Sequence, residues 1–67
     1  MKEGAFVGYN GEGEPVAVSC WGPHIATTRR EALAEMSGGL RVQEFALGNE
    51  RLIADIDRMR RSMLRDR

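Results

Sequence analysis

The 67-residue chain is long enough for one small domain, 1–67, and too short for a second. Ten Lys and Arg residues balance ten Asp and Glu residues, and this zero net charge excludes a strongly basic nucleic-acid binder and an acidic DNA mimic. One cysteine excludes an internal disulfide, and with one histidine it supplies too few ligands for a structural zinc site within one chain. We expect no cofactor. Because the apolar runs are far shorter than ~20 residues and the start is no signal peptide, we expect a cytoplasmic protein.

Residues 1–21 are predicted to form a β-hairpin. Two β-prone runs flank a segment that contains Gly11 and Gly13 and ends at Pro15, which is typical of a loop of about five residues. In the second strand, alternation places one set of side chains on each face of the sheet. The first set is Val16, Val18 and Cys20, and the second is Ala17, Ser19 and Trp21.

A short helix is predicted over 28–37. Thr28 and Glu31 form a capping box, in which the hydroxyl accepts from the third backbone N–H and the glutamate reaches back to the cap. Good helix formers follow, and we expect Leu33 and Met36 to be buried on one side. Gly38 and the residues beside it favour a left-handed end to this helix.

Residues 40–47 are predicted to form a third strand, because glycine-containing segments bracket a run of strand length. Leu40 and Val42 alternate as in a strand, whereas Phe45 is out of phase. A β-bulge near Glu44 would restore the phase. The alternative is a helical turn, which the spacing of Val42, Phe45 and Ala46 also suits.

The strongest helical pattern covers 49–65. Asn49 is a good N-cap, and arginines near the end favour the helix dipole. Six apolar side chains occupy one arc, and the opposite arc is charged. The apolar arc holds Leu52, Ile53, Ile56, Met59, Met63 and Leu64, and the charged arc holds Asp55, Arg58, Arg61 and Arg65. The order ββαβα predicts an α+β domain, with an antiparallel sheet of two to three strands under a short helix and a longer C-terminal one.

The end of the C-terminal helix is the main candidate for partner binding. A domain below ~70–80 residues usually needs a disulfide, a metal or association with another chain, and the first two are excluded here. A 16-residue helix, about 24 Å long, would overhang so small a sheet and leave Met59, Met63 and Leu64 uncovered. Arg60 falls inside the apolar arc, where it must snorkel or pair across an interface. Trp21 is either a further interface residue or part of the core.

Two other kinds of site are weaker. Arg51, Arg58, Arg61 and Arg65 share a face that could follow phosphates, but the alternative is a solvated face with Asp57–Arg61 and Arg51–Asp55 as i,i+4 pairs. We favour that alternative because no Asn, Gln or aromatic residue is placed to read bases. Cys20 and His24 suggest a thiolate nucleophile, yet no residue is placed to orient the imidazole, so we expect no enzyme.

These features predict a non-enzymatic protein-binding module, which binds another protein or a second copy of itself as a homodimer. In size and economy the chain is similar to compact accessory proteins of phages and mobile elements, some of which block host defence or transcription complexes. That similarity implies inhibition or modulation of a host complex by steric occupation. The alternative is a small nucleic-acid-associated regulator. We infer no membrane contact and no small-molecule substrate.

Overall fold

The computed structural model describes residues 3–36 and 38–65, with the side chain of Arg65 outside the description. The predicted order of elements and the α+β class are confirmed. The sheet is antiparallel with the strand order β2-β1-β3, so the first strand is central. The elements are β1 (Gly4–Tyr9), β2 (Pro15–Trp21), α1 (Arg29–Ala34), β3 (Arg41–Ala46) and α2 (Glu50–Arg65).

The hairpin of β1 and β2 matches its prediction. Its loop spans residues 10–14, where the Asn10 side chain accepts hydrogen bonds from the backbone N–H groups of Glu12 (3.0 Å) and Glu14 (2.9 Å). Gly13 has a φ of 79°, which a residue with a side chain rarely adopts. Cys20 packs on one face of the sheet, whereas Ala17 and Trp21 pack on the other, so the predicted alternation of β2 is confirmed.

Helix α1 keeps its predicted start but is shorter than expected. The Thr28 hydroxyl accepts from the backbone N–H of Glu31 at 3.2 Å, and the capping box is complete. The helix ends at Ala34, and the predicted end at residue 37 lies outside the described residues. The prediction that Leu33 is buried was wrong, because this side chain is 45% exposed and the helix instead turns Ala32 toward the sheet.

Residues 41–46 form the predicted strand and not the alternative helical turn. The predicted bulge near Glu44 was wrong, since β1 and β3 pair without a shift from Gly4–Ala46 to Tyr9–Arg41. The irregularity lies between β1 and β2 instead, at Gly8 and Tyr9. Phe45 needs no bulge, because each face of this sheet has its own apolar cluster and a strand can contribute to both.

The two helices cover opposite faces of the sheet, and β1 is buried on both sides. Alternate residues of β1 point to opposite faces and enter two separate clusters. One cluster joins the sheet to α2 and comprises Ala5, Val7, Tyr9, Phe45 and Leu52. The other joins it to α1 and comprises Phe6, Trp21, Ala32 and Met36. The core is therefore two thin layers, each closed by one helix.

Candidate functional site on helix α2

Helix α2 begins at a side-chain cap, as predicted. The Asn49 side-chain oxygen accepts from the backbone N–H of Arg51 at 2.9 Å and lies 3.4 Å from that of Leu52. These bonds satisfy donors that a helix N-terminus leaves without partners. Leu52 lies in the first turn and is 1% exposed. The Asn49 cap and the buried Leu52 side chain therefore both hold this turn in place.

We call Leu52, Ile56, Met59 and Met63 the inner stripe of α2, because their 4-3-4 spacing lines the side of the helix nearest the sheet. The stripe is buried at its start and exposed at its end. Leu52 is 1% exposed, Ile56 and Met59 are half-buried, and Met63 is 73% exposed. Leu64, the next residue, is 70% exposed. The last turns of α2 therefore extend beyond the sheet, as the length of the helix predicted.

A second row of residues runs beside the first on the solvent side. We call Ile53, Asp57, Arg60 and Leu64 the outer stripe; they follow the same 4-3-4 spacing and all are exposed. Ile53 alone is 56% exposed. A shallow groove of about 440 Å³ runs along this row. Its lining is Glu50, Ile53, Ala54, Ile56, Asp57 and Arg60. The exposure of Arg60 agrees with the snorkelling alternative.

The position of Asp55 differs from the prediction. The sequence placed it on the charged, solvated arc, whereas it is 7% exposed and accepts a hydrogen bond of 2.5 Å from the Tyr9 hydroxyl. Burial raises the pKa of Tyr9, and the hydrogen bond and charge of Asp55 raise it further. The helix is thus turned toward Asp55, and this rotation leaves the apolar residues Ile53 and Leu64 facing solvent.

No sequence signal pointed to the contact between Tyr9 and Asp55, which are 46 residues apart. The guanidinium of Arg51 completes this corner, 5.8 Å from the centre of the Tyr9 ring and 5.9 Å from that of Phe45. The predicted Arg51–Asp55 pair is thus replaced by a Tyr9–Asp55 bond with the arginine over the ring. This corner fastens the N-terminal half of α2 to the sheet.

The proposed phosphate-binding face is partly engaged within the protein. Arg51 lies over two rings, and Arg61 pairs with Asp57 at 3.0 Å, as the alternative interpretation predicted. Arg58 lines a shallow cavity of about 260 Å³ beside Glu14. The side chain of Arg65 lies outside the described residues. These contacts give no support to a continuous row of free arginines.

Trp21 lies in the core. Its side chain is 8% exposed and packs against Phe6, with ring centres 6.4 Å apart. A Cβ at Gly4 would come within 2.5 Å of the indole, so the ring lies directly over this glycine. The indole N–H has no hydrogen-bond partner among the described residues. Of the two alternatives for Trp21, burial favours the core, and little of its surface is open to a partner.

Cys20 and His24 have unlike surroundings. Cys20 is half-buried against the cluster that joins the sheet to α2. The His24 side chain is 87% exposed, with Nε2 3.9 Å from a Glu3 carboxylate oxygen. This placement does not favour a thiolate activated by the imidazole.

Within residues 3–36 and 38–65, no group of three or more His, Cys, Asp or Glu side chains is arranged to hold a metal ion. No helix in the described part of the chain is long and apolar enough to cross a membrane.

Comparison with known proteins assigns no family. No protein-family model, curated protein or solved structure matches the chain. The candidate site therefore depends on geometry alone: a helix fastened at its start and uncovered at its end.

Proposed function

We propose that the protein is a non-enzymatic protein-binding module that uses the exposed part of α2. The observation that carries this proposal is the exposure of Met63 (73%) and Leu64 (70%) at the end of a helix whose first leucine is 1% exposed. Apolar side chains that remain in water on a rigid helix favour association, because another surface that covers them removes apolar area from water.

The chemistry of this surface suits a protein partner. Met59 and Met63 have unbranched, flexible side chains that adapt to an irregular apolar surface. Arg60 lies beside them and is well suited to a carboxylate at the rim of such a contact. Exposed apolar and cationic groups together resemble the usual anatomy of a protein interface, an apolar centre with a polar edge.

The proposed mode of action is steric occupation. A chain of this size would inhibit or modulate a larger host complex, of the defence or transcription machinery, by covering a surface that the complex needs, as a phage or mobile-element accessory protein does. A half-buried free Cys20 fits a reducing compartment, and we accordingly propose that this action takes place in the cytoplasm. The anchored first turns of α2 support the mode of action, because a helix held in place loses little freedom on binding.

The test is capture with matched leucine variants. Tagged wild-type protein, Leu64→Asp and Leu33→Asp are used to capture proteins from a lysate of cells that encode the chain. Both leucines are exposed, at 70% and 45%, but Leu33 lies on α1 at the opposite face of the sheet. Circular dichroism shows whether each variant keeps its fold. The proposal predicts a protein that wild type and Leu33→Asp retain, and that Leu64→Asp loses more than tenfold.

Identification of that protein by mass spectrometry, followed by reconstitution from purified components, completes the test. If wild type retains no protein, the proposed action on a host complex is wrong. If Leu64→Asp and wild type retain the same protein equally, the docking surface is wrong.

A further inference from the structure

The outer stripe of α2 is chemically self-complementary. Along the helix, the residue types read apolar, acidic, basic, apolar at Ile53, Asp57, Arg60 and Leu64. A second copy in the opposite direction, with a two-fold axis between Asp57 and Arg60, places Ile53 on the copy's Leu64. The same alignment places Asp57 on the copy's Arg60, and each contact occurs twice.

From this pattern we propose that α2 pairs with α2 of a second copy of the chain, in antiparallel orientation, through the outer stripe. The proposal rests on the proposed function in that it takes α2 as a protein-binding helix, and it assigns a second copy of the chain to the outer stripe of that helix. A two-fold interface uses the same surface on both copies, so each residue must meet its complement, and this row meets that condition.

Charge disfavours the parallel arrangement. Parallel helices in register would place Asp57 on Asp57 and Arg60 on Arg60, and like charges in contact oppose association. Among the exposed charged residues, Glu50, Arg51 and Asp57 lie in the first half of α2 and carry a small net negative charge, whereas Arg58, Arg60 and Arg61 follow in the second half. An antiparallel copy therefore brings the acidic half of each helix to the basic half of the other.

The groove beside the outer stripe gives the pairing its shape. Its lining combines apolar Ile53, Ala54 and Ile56 with charged Glu50, Asp57 and Arg60, so a side chain from the facing helix finds both apolar surface and charge there. A contact along one helix about 24 Å long and about 10 Å wide covers roughly 250 Å² per partner, well below the roughly 800 Å² per partner of a standard stable interface. We therefore expect a dimer that dissociates on dilution.

Sedimentation of purified protein from micromolar to millimolar concentration tests the proposal. As the concentration increases, the measured mass of the wild-type protein is expected to rise from that of one chain toward that of two. Asp57→Arg alone places two arginine side chains against each other across the two-fold axis, and Arg60→Asp alone places two aspartate side chains against each other. Each single variant should weaken the dimer at least tenfold. The double variant, Asp57→Arg with Arg60→Asp, restores opposite charges at both contacts and should regain association.

Matched leucine variants provide the apolar control. Leu64→Asp should lose the dimer, whereas Leu33→Asp, on the other face of the sheet, should keep it. A single-chain mass at millimolar concentration overturns the inference, and so does a dimer that survives Leu64→Asp or fails to return in the charge swap.

A monomer whose α2 still captures another protein overturns this inference alone, while the proposed function stands. A dimer that captures no other protein supports the pairing and contradicts the action on a host complex.

Discussion

The two halves of α2 share one amphipathic pattern but differ in what they contact. The first half is capped by Asn49, buries Leu52 and bonds Asp55 to Tyr9. The second half continues the same stripe into solvent, where Met63 is 73% exposed. The comparison teaches that an apolar pattern predicts which face of a helix is apolar but not what covers that face. The same spacing stabilises the fold where the sheet lies beneath it and leaves apolar side chains in solvent at the end of the helix.

The largest expected difference between the halves comes from two leucines. Leu52→Ala removes a side chain that packs in the cluster with Val7 and Phe45, and it should lower the free energy of unfolding by about 2–5 kcal/mol. Leu64→Ala removes an exposed side chain and should change that free energy by less than about 0.5 kcal/mol. Urea denaturation of dilute protein measures both. Equal losses would show that the second half of α2 is covered.

Two aspartates give the next contrast. Asp55→Ala leaves the buried Tyr9 hydroxyl without its acceptor and should destabilise the fold by about 1–3 kcal/mol. Asp57→Ala removes an exposed pair with Arg61 and should cost at most about 0.5 kcal/mol. Denaturation of the two variants side by side checks the difference. A cost for Asp57→Ala as large as for Asp55→Ala would contradict the anchored corner.

Removal of the Asn49 cap tests how much this cap stabilises the first half of α2. Asn49→Ala removes the acceptor for the first backbone N–H groups of α2 and should lower stability by about 1 kcal/mol. Ser62→Ala, at an exposed position in the second half, is the control and should stay within about 0.5 kcal/mol. Thermal and urea unfolding measure the two effects. An unchanged stability in Asn49→Ala would mean that the cap contributes nothing.

The smallest effect is a dependence on pH in the alkaline range. Tyr9 is the chain's one tyrosine, so the ultraviolet absorbance of its phenolate reports its ionisation directly. Its pKa is raised in the folded state from the ordinary value of 10.0, by burial first and then by Asp55. A raised pKa stabilises the fold below pH 10, and this contribution is lost as the pH rises above 10. Tyr9→Phe should lack that alkaline loss; if wild type and the variant decline together, the buried phenol is not its source.

The sequence predicted the features that depend on neighbouring residues. The turn at Gly13, the capping box at Thr28 and the cap at Asn49 are local, and the structure confirms each of them. The exposed end of α2 followed from its length against the small sheet. Of the three residues predicted to be uncovered at that end, Met63 and Leu64 are exposed, whereas Met59 is half-buried.

The features that the sequence did not predict depend on contacts between distant segments. Leu33 was expected in the core because it was placed on the same side of the helix as Met36, whereas the side that contacts the sheet holds Ala32 and Met36. Asp55 was placed in solvent because it fell on the charged arc, and the sequence gives no sign that the distant Tyr9 will donate a hydrogen bond to it. The outer stripe was missed for the same reason: turning the helix toward Asp55 exposes Ile53, which the pattern alone assigned to the apolar arc.

The most direct test of the account is the solvent exposure of individual methyl groups, measured by NMR with a paramagnetic reagent in the water. In dilute protein, the signal of Met63 should broaden most, that of half-buried Met59 less, and that of buried Met36 least. At high concentration, the methyl groups of Ile53 and Leu64 should gain protection while that of Met36 stays unchanged, because a second copy then covers the outer stripe of α2. A Met63 methyl as protected as that of Met36 in dilute protein would contradict the account, since α2 would then have no uncovered end to offer a partner.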